Sequence, residues 1–232
     1  MSKDYWNNLY ASNDTGWDIG YPSPPIKEYV DQLKDKTLSI LIPGCGSAYE
    51  AEYLNKIGFT NVTLIDIAPL VTQRLREKFG SDNSRKVNII TGDFFEHEGK
   101  YHLIIEQTFL SALDPTLRPK YVEKMHALLV KDGHLTGVIF NKIFDEPGPP
   151  FGGTIEEYKK MFSSSFQVKQ LEVCYNSIER RKGTEAFINL IAKVGAYITS
   201  YTLEKDIAMC CMKAKSCSRK NCFRPLNGYR LA

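Results

Sequence analysis

The sequence contains the stretch Ser39-Ile40-Leu41-Ile42-Pro43-Gly44-Cys45-Gly46-Ser47-Ala48-Tyr49, from which the architecture of the chain can be worked out. Its apolar run, over 38–42, is typical of a parallel strand that is buried on both faces. Gly44 and Gly46 permit a sharp turn and let a ligand lie against bare peptide groups. A helical pattern follows, and the start of a helix offers unpaired N–H groups. The stretch therefore predicts the strand, turn and helix that open a nucleotide-type site.

The spacing of the glycines narrows the class of ligand. Dinucleotide sites use the pattern Gly-x-Gly-x-x-Gly, whereas the third glycine position here is Tyr49. The sequence also lacks the Gly-Lys-Ser/Thr of a phosphate-binding loop. A glycine turn of this kind suits a nucleoside without phosphates, such as S-adenosyl-L-methionine. A plain strand-to-helix turn is the other interpretation of the glycines alone.

Composition and charge argue against a nucleic-acid-binding or membrane-spanning protein. The 232 residues fit one domain, or one domain with a tail. Six basic residues and no acidic one follow position 212. The whole chain has a net charge of +3, whereas residues 1–212 alone have a net charge of −3. No apolar run approaches the ~20 residues of a membrane span, and the N-terminus lacks the apolar core of a signal peptide. We therefore expect a cytoplasmic monomer that acts on a small molecule, without a nucleic-acid or membrane partner.

Residues 1–37 form the first of three predicted segments. Trp6, Tyr10 and Trp17 make this segment aromatic, and the apolar positions from 26 to 33 predict an amphipathic helix of about three turns. Aromatic faces attract a sulfonium cation and exclude water. We therefore interpret the segment as a lid over the ligand, with core packing of an N-terminal cap as the alternative.

Residues 38–195 alternate between strand and helix patterns and form the predicted binding domain; 196–232 are a basic, cysteine-rich extension that we expect to be poorly ordered. Regular βα alternation requires right-handed crossovers and a mostly parallel sheet. We predict a Rossmann-like, doubly wound α/β fold with seven strands, the last of them antiparallel. The predicted strands cover 38–42, 62–67, 87–91, 101–107, 135–140, 166–175 and 186–192. One predicted helix starts at Pro69. A second covers 115–129 and is broken by Gly133 before the next strand. A third runs through Phe162 and is capped by Thr154 and Glu157.

Polar residues follow four adjacent strands, at the edge where ligands bind in open α/β sheets. A carboxylate such as Asp66 can accept both ribose hydroxyls of a nucleoside. Asp93 can accept from the adenine amine while Phe94 lies against the ring, and the residues that end the fourth strand face the methionine half or the methyl acceptor. The residues at the four strand ends are Gly44, Gly46, Asp66, Asp93, Glu106 and Gln107.

These motifs resemble class I S-adenosylmethionine-dependent methyltransferases, and in combination they are similar to the thiopurine, thiol and halide methyltransferase family. The resemblance covers roughly residues 5–192. The motifs that carry it are Ile42-Pro43-Gly44-Cys45-Gly46, Asp66-Ile67-Ala68-Pro69, Asp93-Phe94-Phe95, the long match over 105–122, Gly148-Pro149-Pro150-Phe151-Gly152-Gly153, Arg181-x-Gly183-x-Glu185 and the spacing of Trp6, Tyr10 and Trp17.

The resemblance implies S-adenosyl-L-methionine as the methyl donor. Tyr10 stands where plant halide and thiol enzymes of the group have a tryptophan, and Gln107 where they have a tyrosine, so the acceptor preference stays open. The predicted cofactor-binding residues are Trp6, Tyr10, Trp17, Gly44, Gly46, Asp66, Ile67, Asp93, Phe94 and Gln107.

The expected reaction is in-line displacement of the sulfonium methyl group by a small, soft nucleophile: a thiol, a hydrosulfide, a halide or a thiopurine sulfur. Such nucleophiles are largely anions at neutral pH, so proximity and desolvation suffice and neither a base nor a metal is required. Arg181 either attracts an anion or pairs with a carboxylate such as Glu185 or Glu106. No residue is assigned a firm catalytic role, and the acceptor-pocket candidates are Trp17, Phe109, Phe151, Arg181 and Glu106.

Three alternative functions remain open. An O- or N-methyltransferase would need a base near the acceptor, for which Glu106 is the candidate. A nicotinamide oxidoreductase is disfavoured by Tyr49. A non-catalytic S-adenosylmethionine-binding protein would act through its tail. We expect no metal site, because the tail cysteines fit no standard zinc spacing, and we expect His97, His102, His126 and His134 to lie on turns and helix surfaces.

Overall fold

The computed structural model describes residues 1–80 and 87–194 of the chain, and within these ranges seven strands form one sheet. The strands are β1 (Ile40–Pro43), β2 (Val62–Asp66), β3 (Val87–Thr91), β4 (Tyr101–Gln107), β5 (Leu129–Phe140), β6 (Phe166–Val173) and β7 (Glu185–Ala192). The helices are α1 (Lys3–Ala11), α2 (Pro24–Asp31), α3 (Tyr49–Lys56), α4 (Pro69–Phe79), α5 (Arg118–Leu128) and α6 (Ile155–Phe162).

The order of the strands confirms the predicted Rossmann-like sheet. It reads β3-β2-β1-β4-β5-β7-β6, with parallel pairing from β3 to β5. β7 pairs antiparallel with both β5 and β6, so the last strand is the reversed one, as expected. The chain moves outward from β1 to β3 and then returns to β4 on the other side of β1. Open α/β sheets bind their ligands at such a reversal point, beyond the carboxyl ends of the strands.

Helices cover both faces of the sheet, which is why β1 and β2 are buried at every position. One cluster of buried apolar side chains includes Tyr121 of α5 and Phe162 of α6. The other includes Leu54 of α3 and Leu75 of α4. Each cluster packs one set of helices against one face of the sheet, and the two together hold the strand ends in fixed positions.

The N-terminal segment contains a helix that the sequence analysis missed. In α1, the Ser2 hydroxyl oxygen accepts a hydrogen bond from Tyr5 N (3.1 Å), which satisfies one of the free N–H groups of the first turn. Ser2, followed by Asp4 and by apolar residues at helical spacing, is the signal that could have revealed this helix. The second helix, α2, is present but spans 8 residues, about two turns rather than the expected three.

The prediction that Gly133 ends a helix is wrong. Helix α5 ends at Leu128, β5 begins at Leu129, and Gly133 is a buried residue inside this strand. A Cβ atom on Gly133 would lie 3.0 Å from Val130 O and 3.1 Å from Tyr101 O, and the register between β4 and β5 shifts in this region. The glycine therefore permits a close backbone approach at a β-irregularity, where a larger residue would crowd the neighbouring strand.

The predicted capping of α6 is confirmed. Thr154 accepts a hydrogen bond from Glu157 N (3.2 Å), and the Glu157 carboxylate accepts one from Thr154 N (2.8 Å). This capping box fixes the point at which the chain leaves the loop over 141–153 and enters the helix. None of the helices in the described part of the chain is both long and apolar enough to cross a membrane.

Candidate active site

A cavity of about 700 Å³ opens at the carboxyl ends of β1, β2 and β4, beneath the N-terminal segment. It gathers side chains that are distant in the sequence, from Met1 to Thr184. Nine of the ten residues predicted to bind the cofactor line its wall: Trp6, Tyr10, Trp17, Gly44, Asp66, Ile67, Asp93, Phe94 and Gln107.

The glycine turn after β1 forms the floor of the cavity. Gly44 has φ of +56°, and a Cβ atom on it would overlap the ring of Phe109, so glycine is required here both for conformation and for space. Gly46 also has a positive φ of +48°, but it does not line the cavity. Its N–H group donates to Asp66 Oδ2 (3.1 Å). The backbone of Gly46 therefore holds the Asp66 side chain, and its contact with the cofactor stays a prediction.

Asp66 ends β2 as a buried carboxylate, 7% exposed, that still reaches the cavity wall. Its Oδ1 accepts a hydrogen bond from Ala68 N (2.9 Å), in addition to the bond from Gly46. Burial raises the pKa of this carboxyl, although the backbone hydrogen bonds oppose the shift. Each carboxylate oxygen has a second lone pair, so the group can accept further hydrogen bonds from a ligand.

Asp93 and Phe94 occupy the wall beyond β3. Asp93 starts a short 3₁₀ turn and accepts a hydrogen bond from Phe95 N through Oδ1 (2.8 Å), while its side chain remains exposed. The ring of Phe94 is 5% exposed and packs edge-on against Phe109, with the ring centroids 5.2 Å apart. This part of the wall therefore combines an accepting carboxylate with a flat apolar surface.

Three aromatic rings of the N-terminal segment cover the cavity. Trp17 packs edge-on against both Trp6 and Tyr10, with ring centroids 5.6 Å apart in each pair. Trp17 is 36% exposed, whereas Tyr10 is 8% exposed and lies inside. Burial raises the pKa of the Tyr10 hydroxyl, and the nearby Asp66 adds to the shift. The rings form an aromatic roof whose outer edge faces solvent.

Hydrogen bonds from distant parts of the chain hold the Trp17 loop in place. The Asp18 carboxylate accepts from Ser47 Oγ (2.5 Å), in the turn before α3. Arg180 donates to Asp18 O (2.8 Å), and Arg181 donates to Trp17 O (2.6 Å). The roof is therefore fastened to the glycine turn on one side and to the segment before β7 on the other.

Arg181 lines the cavity, but its guanidinium already has a carboxylate partner. Arg181 Nη1 lies 3.0 Å from Glu185 Oε1, and both side chains are almost fully buried. Of the two expectations for Arg181, the ion pair with Glu185 is the one that the structure contains, and Glu106 is not involved.

Glu106 does not face the cavity, contrary to expectation. Its side chain is fully buried on the opposite face of β4, where it accepts hydrogen bonds from Leu110 N (3.1 Å) and from the Tyr121 hydroxyl. Burial raises the pKa of this carboxyl from 4.5 to about 7. Side chains alternate along a strand, so only one of the two residues that end β4 can face the cavity, and that residue is Gln107.

The part of the cavity beside β5 and β7 is lined largely by residues that the sequence did not indicate. Phe109 and Trp17 line the wall as expected, but Phe151 does not; its N–H group donates to Ser111 O (2.7 Å) instead. The motif Gly148–Gly153 still marks this region, because the two prolines beside Phe151 reach the wall. The additional lining residues on this side include Phe140, Lys142, Phe144, Pro149, Pro150, Arg180 and Thr184.

The histidines lie away from the cavity. His97 follows a 3₁₀ turn and His126 lies on α5, as expected, but His102 and His134 lie on β4 and β5 rather than on turns or helices. No cluster of three potential metal-binding side chains occurs within residues 1–80 and 87–194. The cysteine-rich tail lies outside the described residues.

Comparison with known proteins identifies relatives over this same part of the chain. The family model for thiopurine S-methyltransferase matches residues 1–194. A probable thiol methyltransferase 2 from Arabidopsis thaliana is 30% identical over 159 residues, which cover 67% of this chain and 70% of that protein. A thiopurine S-methyltransferase from Acinetobacter baylyi is 25% identical and covers 79% of this chain and 94% of its own length.

Solved structures of methyltransferases share the fold. The 1,6-didemethyltoxoflavin-N1-methyltransferase of Burkholderia thailandensis, solved with bound 1,6-didemethyltoxoflavin and S-adenosylhomocysteine, superposes with a TM-score of 0.65 at 17% identity. The alignment covers 82% of this chain and 87% of that one. At this identity the likeness concerns the arrangement of strands and helices.

Proposed function

The chain belongs to the thiopurine S-methyltransferase family and is an S-adenosylmethionine-dependent methyltransferase, and we propose that it transfers the methyl group to a small sulfur nucleophile. The relatives support this choice of acceptor, because those with named activities include thiol, thiocyanate and thiopurine methyltransferases. A heavy halide is a further acceptor of the same soft, anionic kind.

The cofactor half of the cavity is the part that follows β1, β2 and β3. Gly44 offers bare peptide groups, the Asp66 carboxylate accepts the ribose hydroxyls, and Asp93 with Phe94 forms the adenine end. The aromatic roof lies over the sulfonium, which attracts aromatic faces once water is excluded. Residues of this half therefore fit S-adenosyl-L-methionine. When bound, it supplies a methyl group that passes to the acceptor sulfur, while the electron pair of the broken C–S bond stays on the sulfur of S-adenosylhomocysteine.

The distribution of charge along the cavity is the observation that carries the proposal. The carboxylates of Asp66 and Asp93 follow β2 and β3, whereas Lys142, Arg180 and Arg181 lie beside β5 and β7. The charge of Arg181 is offset by its ion pair with Glu185, whereas Lys142 forms no ion pair with a described carboxylate and its Nζ lies 5.2 Å from the centroid of the Phe144 ring. Positive potential in a narrow site raises the local concentration of an anion such as a thiolate.

The position of Glu106 and the absence of a histidine among the described lining residues support transfer without a protein base. Glu106, the candidate base for O- or N-methylation, lies on the other face of β4, and no histidine lines the cavity within the described ranges. A hydroxyl acceptor would need such a base, whereas a thiolate is already an anion at neutral pH. The contribution of the chain is then to position the thiolate and exclude water.

A panel of acceptors tests the proposal. Purified protein is incubated with methyl-labelled S-adenosylmethionine and thiophenol, a thiopurine, hydrosulfide, thiocyanate, iodide or catechol. We expect transfer to the sulfur acceptors and none to catechol, with iodide reporting on the halide activity. Transfer to catechol alone would instead indicate an O-methyltransferase, and tight cofactor binding without any transfer would indicate a binding protein.

We further propose that three segments of the chain have separate roles and that the protein is located in the cytoplasm. Residues 1–37 form the lid, 38–195 the catalytic domain, and 196–232 an extension outside it, in agreement with a family match that ends at 194. Cys45 and Cys174 are buried free thiols, which is typical of proteins from a reducing compartment. Fractionation of cells that produce the tagged full-length chain would test the location.

A further inference from the structure

Glu106 is a buried carboxyl that the proposed reaction does not use as a base. Its side chain is fully buried on the face of β4 that points away from the cavity. Burying an ionisable group is unfavourable unless hydrogen bonds compensate for the loss of water. The hydrogen bonds of Glu106 therefore indicate which part of the site this carboxyl serves.

The carboxyl of Glu106 caps the short 3₁₀ turn Phe109–Ala112, which follows β4. Leu110 N donates to Glu106 Oε1 (3.1 Å). Burial raises the pKa of this carboxyl, and hydrogen bonds from the Tyr121 hydroxyl and from the N–H groups of Leu110 and Phe109 oppose that shift. The first N–H groups of a helical turn have no partner within the turn, so a carboxyl at this place satisfies them.

The ring of Phe109, the first residue of this turn, forms part of the cavity wall. It packs directly on the backbone of Gly44, because a Cβ atom on Gly44 would lie 2.2 Å from Phe109 Cδ2. It also packs edge-on against Phe94, the flat surface at the adenine end of the cofactor half. The position of one ring therefore affects the glycine turn and the aromatic wall together.

Tyr121 of α5 connects the second oxygen of Glu106 to the same ring. Its hydroxyl donates to Glu106 Oε2. Its ring centroid lies 6.3 Å from that of Phe109 and 6.2 Å from that of Phe94. Glu106 therefore holds both the turn that carries Phe109 and the tyrosine that packs against Phe109 from the core.

We propose that Glu106 is a positioning residue for methyl transfer, which caps the turn Phe109–Ala112 and thereby holds the Phe109 ring against Gly44. Glu106 touches neither the methyl donor nor the acceptor and acts on them through Phe109. The rate of transfer between two bound reactants depends steeply on their distance and alignment, so a displaced wall residue lowers it. This inference rests on the proposed function.

A double-mutant cycle tests whether Glu106 acts through Phe109. Glu106→Met keeps the length of the side chain and removes both oxygens, and Phe109→Leu removes the ring. We expect each single variant to lower kcat/KM for thiophenol about tenfold, and the double variant to lie within about twofold of either one. Two residues that act independently would instead give a fall of about a hundredfold in the double variant.

Two further variants separate the hydrogen bonds from the bulk of the side chain. Glu106→Gln keeps an acceptor for Leu110 N and gains a donor for the Tyr121 hydroxyl, so its kcat/KM should return to within about threefold of wild type. Glu123→Met makes the same change at an exposed position of α5 and is the matched control. It should keep the wild-type kinetics, and its effect should simply add to that of Phe109→Leu.

The same cycle measured on S-adenosylhomocysteine binding does not depend on the identity of the acceptor. Because Phe109 packs on Gly44 in the cofactor half, we expect each single variant to raise the dissociation constant about threefold. The double variant should stay near about threefold rather than reach about ninefold. If the wild type methylates no sulfur acceptor, the proposed function fails, and this binding cycle still tests the role of Glu106.

Additive effects in the double variant, on kcat/KM or on the dissociation constant, would overturn the inference. A folded Glu106→Met variant with wild-type kinetics would do the same, as would a Glu106→Gln variant that is no more active than Glu106→Met. If Glu106→Met does not fold, Tyr121→Phe removes the hydrogen bond to the second oxygen, and its cycle with Phe109→Leu should show the same lack of additivity.

Discussion

Asp66 shows how much a single residue contributes to both fold and site. Its position at the end of the second strand, 20 residues after Gly46, was enough to predict that it belongs to the cofactor site. The hydrogen bonds from Gly46 N and Ala68 N were not predictable, because they depend on the exact path of two turns. These bonds fix the orientation of the carboxylate before any ligand binds.

Replacing Asp66 should weaken cofactor binding more than it weakens the fold. Asp66→Ala removes the acceptor for the ribose hydroxyls, and we expect the dissociation constant of S-adenosylmethionine to rise at least about tenfold, or about 1.4 kcal/mol. Asp66→Asn retains one accepting oxygen and should lose less. Titration calorimetry on both variants measures the effect, and an Asp66→Ala variant that binds as wild type would remove the ribose assignment.

Glu106 and Gln107 illustrate the limit of sequence reasoning at the residue scale. Both end β4, and strand alternation guarantees that their side chains lie on opposite faces. The sequence does not reveal which face meets the cavity, because that depends on how α5 and the segment after β4 pack. Glu106 in fact accepts from Tyr121 of α5, in the buried core.

Glu106 should make the stability of the protein depend on pH. The pKa of Glu106 is about 7 in the folded chain against an ordinary 4.5, so the folded state binds the proton more tightly than the unfolded state does. The free energy of unfolding therefore falls as the pH rises from about 4.5 to about 7. Glu106→Gln cannot titrate. Urea unfolding at about pH 5 and about pH 8 should show wild type losing on the order of 2 kcal/mol relative to this variant. Parallel pH profiles of the two proteins would contradict the assignment.

At the scale of elements, the Trp17 loop of the proposed lid is held by contacts that no local pattern predicts. The aromatic spacing of the N-terminal segment indicated a cover over the ligand. The hydrogen bonds of Arg180 and Arg181 to the Trp17 loop join residues more than 160 positions apart, and only the folded chain brings them together. The ion pair of Arg181 with Glu185 places the guanidinium so that it can donate to Trp17 O.

Breaking this ion pair should destabilise the protein through the charge that is left behind. Arg181→Met leaves Glu185 buried without a partner, which should cost about 3–5 kcal/mol of unfolding free energy. The double variant Arg181→Met/Glu185→Leu should recover most of that loss but still have a higher KM for the acceptor, because Trp17 O has lost its donor. Arg180→Met, at an exposed position, is the matched control and should cost less than about 1 kcal/mol.

Urea unfolding and steady-state kinetics on these three variants distinguish a structural role of Arg181 from direct anion binding. If the double variant regains stability and also regains the wild-type KM, the connection between Arg181 and the lid does not affect acceptor binding. If Arg181→Met is as stable as wild type, the ion pair does not contribute to the fold.

At the scale of the whole molecule, the sequence predicted more of the structure than it did for single residues or elements. Alternating strand and helix patterns predicted seven strands and a reversed last strand, because buried parallel strands and amphipathic helices have distinct periods. The helix α1 and the start of β5 were not predicted. The main local signal for α1 is the cap at Ser2, and Gly133 inside β5 has the pattern of a helix stop.

The catalytic unit should be complete without the C-terminal extension. The family match ends at 194, and the cavity is lined from residues 1–80 and 87–194, the part of the chain that the structure describes. A chain that ends at Val194 should have a dissociation constant for S-adenosylmethionine and a kcat/KM for thiophenol within about twofold of those of the full chain. A twofold change corresponds to about 0.4 kcal/mol. Loss of binding in a truncated chain that remains folded by circular dichroism would assign the extension a part in the site.

The central claim is that the protein positions an acceptor thiolate that is already ionised, without a protein base. The most direct test is the pH dependence of kcat/KM for a series of ring-substituted thiophenols that differ in thiol pKa but hardly in size. We expect the inflection of each profile to follow the pKa of its own acceptor, because only the thiolate reacts. An inflection at one common pH for all members of the series would show that a group on the protein removes the proton and would contradict the account.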